Sequence, residues 1–185
     1  GQQGPILAAT GADVTVFDNS TKQLEKDNYV ALRDNLKIKT VQGNMQDLSA
    51  FKDETFDCIV HPWSNGYIDN VLPVWKECAR VLKKNGLLLS GFGNPIEYIF
   101  DSGKIEQGIL EVKYSVPYAD IDHLDDPEIK QIVESGGYIW SHTLEDQIQG
   151  QIAAGFAIIG FYEDIGGTVL DNYINSSIAT KAIKL

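Results

Sequence analysis

The chain is poor in the residues that build most special-purpose scaffolds. Two cysteines, one methionine and three histidines occur in 185 residues. Two cysteines cannot form a disulfide framework, and no His/Cys spacing of a metal site is present. Cys58 lies in an apolar strand-like run and Cys78 on a helical apolar face, so both are expected as small core residues. No apolar run approaches the ~20 residues that span a bilayer, and the first residues carry neither the basic region nor the apolar stretch of a secretory signal. A reducing cytoplasm and no membrane association are expected. Basic residues are also few: 15 Lys and Arg stand against 26 Asp and Glu, a net charge of −11. Phosphate backbones are neutralised by basic patches. The strongest basic cluster, Arg80, Lys83 and Lys84, reads as a charged helix C-terminus. Nucleic acid is therefore not an expected partner, and a small-molecule or cationic substrate is. Oligomeric state is not legible.

What the chain does have is an alternation of helical and strand patterns, which specifies an α/β fold with a mostly parallel sheet. Pro5 opens a short helix to Thr10, closed by Gly11. Asp13–Phe17 is β-rich and ends at Asp18, and Ser20 with Gln23 caps a helix over 21–34. Strands are expected at Ile38–Gln42 and at Phe56–Val60, the latter stopped by His61-Pro62. A helix over 69–84 carries Leu72, Trp75, Cys78, Ala79 and Leu82 on one face, and Leu87–Phe92 follows as a buried strand. Residues 93–140 break the rhythm and read as an insertion or substrate cover within a single domain over 1–185. It holds an extended piece near Leu110–Val116 and acids at Asp120, Asp122, Asp125 and Asp126 that read as solvated surface. Thr143 with Asp146 caps a further helix to Ala154. Two last strands, Phe156–Tyr162 and Tyr173–Ile183, lack a crossover helix and should pair antiparallel.

Three features fall at strand ends, where open α/β sheets bind ligands. Gly1-Gln2-Gln3-Gly4 precedes a helix, where glycine lets a backbone approach a ligand. Asp18 and Asn19 follow an apolar strand, and two carboxylate oxygens suit the two hydroxyls of a ribose. Gly43-Asn44-Met45-Gln46 follows the next strand, where an amide and a backbone N–H can read an adenine edge while Met45 covers the ring. Seventeen residues separate Gly1 from Asp18 and 26 separate Asp18 from Asn44. It is this order, more than any one motif, that carries the reading.

With these residues in place, the chain resembles class I S-adenosylmethionine-dependent methyltransferases. In that family a GxGxG-type loop follows the first strand, an acid ends the second, and an adenine-reading loop follows the third. Gly1 falls on the last glycine of the loop, Asp18 on the ribose acid and Asn44-Met45 on the adenine loop. Phe56-Asp57 and its apolar run match the fourth strand, Arg80–Leu89 is similar to the RVLKPGG approach to the fifth, and Ser141–Phe156 resembles the helix before the sixth. Two departures stand out. Asn44 occupies a position where many relatives carry Asp, and the sequence starts at Gly1, so a preceding segment with the first strand is expected.

The resemblance implies a doubly wound, mostly parallel sheet with an antiparallel C-terminal strand, S-adenosylmethionine as cofactor, and methyl transfer to an unidentified acceptor. It places the reacting edge beyond the fourth strand, at His61–Tyr67. There His61 is the candidate base, and Trp63, Ser64, Asn65 and Tyr67 are candidate substrate residues, joined by His142. Tyr98, Tyr114 and Tyr118 are candidates for the inserted cover, and Asn94-Pro95 reads as a turn. No metal ligands are assigned. Two other readings stay open: a nicotinamide-dependent oxidoreductase, which shares the glycine turn and the ribose acid, and a catalytically silent cofactor-binding scaffold.

Overall fold

The structure, a computed structural model, describes residues 2–185. Gly1, the first expected cofactor residue, lies outside the described residues. The chain forms two compact units, residues 1–50 and Phe51–Leu185.

In the first unit, helix α1 (Gln3–Ala9) leads into β1 (Val14–Asp18), α2 (Thr21–Arg33) and β2 (Ile38–Gln42). α1 begins two residues ahead of Pro5, and Gly11 closes the turn after it at φ 93°. Ser20 caps α2 by accepting the Gln23 N–H, as its position in the sequence requires. The two strands pair in parallel from Val14↔Ile38 to Asp18↔Gln42. Two glycines set how closely the elements pack. A Cβ on Gly4 would stand 2.7 Å from Val16 Cγ2, and one on Gly43 would stand 2.4 Å from the tip of the Phe17 ring.

The second unit holds β3 (Phe56–Pro62), α3 (Leu72–Val81), β4 (Leu82–Gly93), α4 (Ser102–Glu106), α5 (Pro127–Gly136), α6 (Gly150–Ala153), β5 (Phe156–Asp164) and β6 (Ser177–Lys184). Its sheet runs β3-β4-β6-β5, with β3 parallel to β4 and β6 antiparallel to both β4 and β5. The antiparallel strand is thus the C-terminal one, and it is inserted between the other strands. The core is the buried stripe of α3 (Val74, Trp75, Cys78, Val81) against Leu88 and Phe92 of β4, Phe156 of β5 and Ile178 and Ala182 of β6.

Several expectations are corrected. His61-Pro62 does not stop β3, because β3 is an edge strand of this sheet, where a missing N–H costs nothing. The helix expected over 69–84 ends at Val81, since Leu82 turns extended and pairs with Phe56. Lys83 and Lys84 therefore belong to β4, and only Arg80 sits in the last helical turn, forked onto Glu77. Asn85 in the left-handed region (φ 64°) and Gly86 absorb the register jump from Leu82 to Leu87. Leu89 and Leu72 are exposed where apolar patterning put them inside. Cys58 is exposed on the edge strand β3, whereas Cys78 is buried and its thiol is pushed up to about 12 by burial. The expected extended piece at Leu110–Val116 reduces to one bridge, Phe100↔Val112. Asp120 is no surface acid. It is 3% exposed and accepts the Tyr118 hydroxyl, two residues away, and the Ile139 N–H, nineteen residues away, and apolar patterning reveals neither. Tyr173 lies outside β6, which starts at Ser177.

Gly150 makes α3 and α6 a tight pair. A Cβ there would meet Leu72 Cδ2 and Trp75 Cδ1 at 2.8 Å, and Trp75 is fully buried with its indole N–H held by Asp146 O. Alanine in a helix gains up to about 1 kcal/mol over glycine, but overpacking a fixed ring costs about 1–3 kcal/mol. Gly150→Ala should therefore lower unfolding stability by about 1 kcal/mol in urea titration.

Candidate functional site

In the first unit, the expected nucleoside residues gather at the carboxyl edge of the parallel β1–β2 pair. Asp18 and Gln42 are register partners, and the Gly43 N–H donates to Asp18 O at 3.1 Å. The Gln42 side-chain amide crosses to Asn19 O and to Thr21 Oγ1, both at 3.1 Å, tying the two loops together. Asp18 is half-buried, and one of its carboxylate oxygens accepts the Ser20 N–H at 2.8 Å. The Asn44 turn is closed by Asp47 N–H on Asn44 O. The Asn44 side chain caps its own loop, with Oδ1 accepting the Gln46 N–H at 3.0 Å. Met45 is half-buried there, and Gln2 and Gln3 are exposed at the start of α1.

The second unit carries a small cavity beyond the carboxyl ends of β3 and β4, of about 20 Å³, enough for one water. Of the residues named from sequence, Trp63, Asn65 and His142 line it. Ser64 is turned back onto Pro62 O, Tyr67 is exposed, and His61 stands one residue behind the lining. Gly66, Phe92, Gly93, Trp140 and Gln147 line it too and were missed; Tyr98 was expected only as cover.

The loop is aimed by backbone geometry. Trp63 adopts φ 57° and its N–H donates to Gly91 O at 2.7 Å, so the chain leaves β3 in a tight left-handed step and begins a 3₁₀ turn, Ser64–Tyr67. Trp140 N–H donates to Gly66 O, which stitches the segment before α6 onto this loop, and Ser141 N–H donates to Tyr118 O in the inserted stretch. A π-helical turn, Glu145–Gln149, then precedes α6; the Thr143–Asp146 cap expected from sequence is present at its start. Such a turn shifts side chains off the α-helical register, and it carries Gln147 into the cavity wall. Nothing in the residue types announces this shift, so Gln147 was not legible.

Asn65, 1% exposed, is the hub. Its amide donates to Gln147 Oε1 at 2.7 Å, so its Oδ1 faces His61 and accepts from Nε2 at 2.5 Å. His61 is therefore the Nε2–H tautomer. His142 Nε2 donates to the Asn65 backbone carbonyl at 3.0 Å. Behind them Gln151 donates to Gln147 O and accepts the Thr180 hydroxyl, both members fully buried. Burial pushes the His61 imidazole below its ordinary value, and the Asn65 hydrogen bond only partly opposes this. Its ring stands edge-on to Trp75, with centroids 5.8 Å apart. Among the described residues no cluster of His, Cys, Asp and Glu could hold a metal ion, and no helix is long and apolar enough to cross a membrane.

Comparison with known proteins gives a consistent result. Residues 1–90 match the family described as "Methyltransferase domain". A protein of Bacillus subtilis (strain 168), "Uncharacterized methyltransferase YbaJ", is 56% identical over 186 residues, covering all of this chain and 73% of the relative. An S-adenosylmethionine-dependent methyltransferase structure from Mesorhizobium loti superposes with a TM-score of 0.70 at 15% identity, covering 93% of this chain and 80% of the other. One from Methanosarcina mazei does so with a TM-score of 0.66 at 20% identity, covering 97% and 85%. At those identities the structures speak for the fold alone.

Two outcomes follow from the network. Removing the Asn65 side chain leaves His61 Nε2–H and Gln147 Oε1 without their partner, at about 1–3 kcal/mol for each buried orphan. Asn65→Ala should accordingly cost at least about 2 kcal/mol in urea unfolding. The lowered His61 value also fixes a sign. As pH falls through about 6.5 the unfolded chain takes up a proton on this residue before the folded chain does, so stability declines. The melting temperature should fall between pH 7 and pH 5, and less steeply in His61→Gln.

Proposed function

The chain belongs to the class I S-adenosylmethionine-dependent methyltransferases, and from that premise we propose that it methylates a small molecule received beside Asn65. The observation that supports this most is the meeting of Asp18 and the Asn44–Gln46 turn at one strand edge, joined by the Gly43 N–H. Asp18 and Asn19 are assigned the ribose, with the Asp18 oxygen not bonded to Ser20 directed to a hydroxyl. Asn44, Met45 and Gln46 are assigned the base, and Gln2 and Gln3 the amino-acid end. These residues fit a nucleoside. The carboxylate is fixed by a backbone N–H yet half-exposed, and Phe17 over Gly43 gives the turn a firm floor.

When bound, S-adenosylmethionine supplies an electrophilic methyl group on a sulfonium. The protein's own task is to hold an acceptor in line with that carbon and to exclude water. Trp63, Asn65 and His142 are assigned to the acceptor, with Ser64 and Tyr67 on the same loop. Asn65 is oriented by His61 and Gln147, so we assign His61 to positioning through Asn65, and residues 93–140 to covering the acceptor. No nucleic acid, membrane or metal is assigned a part.

Titration with S-adenosylhomocysteine tests the nucleoside assignment. Asp18→Ala should weaken binding about ten- to a hundredfold, the loss of charge-assisted hydrogen bonds worth about 1–3 kcal/mol. Unchanged affinity places the ribose elsewhere, and binding of NAD in preference returns the oxidoreductase reading. A labelled-methyl assay on cell extract separates an enzyme from a silent scaffold, which would bind cofactor tightly and label nothing.

A further inference from the structure

We propose that one corner of this cavity binds a cationic nitrogen, so that the acceptor is an amine-bearing molecule; the proposal rests on the methyltransferase reading and names its substrate class. The corner is built over Gly93, at the end of β4. A Cβ on Gly93 would lie 3.1 Å from Glu97 Oε2, 3.4 Å from the Trp63 indole and 3.6 Å from the Tyr98 ring. Gly93, Trp63 and Tyr98 line the cavity, and the point above Gly93 is also faced by the Glu97 carboxylate. Any residue but glycine would fill it.

Glu97 lies in the 3₁₀ turn Pro95–Ile99, which Asn94 starts by accepting the Ile96 N–H. Its carboxylate is half-buried, and no described residue gives it a hydrogen bond or an ion pair. Other half-buried or buried acids of the same unit are all provided for. Asp120 has Tyr118 and Ile139, Asp101 and Asp126 share Lys113, and Asp171 gathers the N–H groups of Gly166, Gly167 and Thr168 with the Ser176 hydroxyl. Glu97 instead faces more negative charge. Burial and the neighbouring Asp171 hold its carboxyl above the ordinary range. Tyr98 is pushed up to about 12 by burial, with Glu97, Tyr67 and Asp120 adding to it. A desolvated acid without a counter-charge is costly. A cation at Gly93 relieves it. Trp63, 49% exposed, leaves an indole surface open for this. A net charge of −11 draws cations toward the protein as a whole.

The indole N–H resonances of Trp63 and Trp140 read this corner, and that of Trp75, bound to Asp146 O in the core, is an internal control. In protein saturated with S-adenosylhomocysteine at constant ionic strength, methylammonium, chosen for the small size of the cavity, should shift the first two signals. Half-saturation is expected at a concentration at least fivefold lower than for the same-shaped neutral methanol. Glu97→Gln, with a melting temperature no lower than that of the parent protein, should abolish that preference, and Glu97→Asp should retain part of it. Equal response to alcohol and ammonium, a preference that survives Glu97→Gln, or no response to the ammonium overturns the proposal. Calorimetry of S-adenosylhomocysteine on the same samples separates the failures. Cofactor binding without an ammonium response removes the amine site alone, whereas no cofactor binding removes the reading beneath it as well.

Discussion

A single buried amide organises the second unit's cavity. Asn65 is 1% exposed, and at that depth its polar groups need partners, which the protein supplies. Its amide N–H meets Gln147, its amide oxygen meets His61, and its backbone carbonyl meets His142. Those three partners come from the end of β3 and from the segment entering α6, about eighty residues apart in sequence. Because an unmade bond at such depth is expensive, the partners cannot drift independently. The loop after β3 and the π turn before α6 are locked as one wall, and Gln151 and Thr180 extend the lock into β6. Trp63 and Trp140 flank this wall, and Phe92 and Tyr98 face the cavity from β4 and from the turn after it.

The distribution of acids shows the same logic at lower cost. Three carboxylates of the inserted stretch are used as structural anchors: Asp101 and Asp126 cap short helices and share Lys113, and Asp120 receives a phenol and an amide N–H. Asp18 and Glu97 differ, each half-buried at the carboxyl end of a strand with acceptor capacity left over. In a parallel sheet the loops at that end are where backbone donors and side chains can converge without breaking strand pairing. The two acids would then take opposite kinds of partner, hydroxyls at Asp18 and a cation at Glu97.

Much of the fold was legible because it depends on local chemistry. The Ser20 cap, the strand Ile38–Gln42 and the antiparallel closing strand follow from capping, from β-branched alternation and from a connection lacking a crossover helix. Errors clustered where tertiary pairing overrode local preference. Leu82 pairs with Phe56 and cuts a helix short, Pro62 survives in a strand because its edge is free, and Cys58 faces outward on a run read as core. At the cavity, Trp63, Asn65 and His142 were named from residue type and strand-end position, and they line it. Gly93, Gln147 and Glu97 were not named, since a glycine, an amide and an acid carry no signal until the backbone brings them beside a ring.

By itself, the sequence determined the order of elements and the family, because these depend on spacing along the chain and on chemistry within a few residues. Only the tertiary structure decided which side chains share a cavity and which acid lacks a partner. Those properties depend on desolvation and on hydrogen bonds between residues far apart in sequence, and neither exists until the chain has folded.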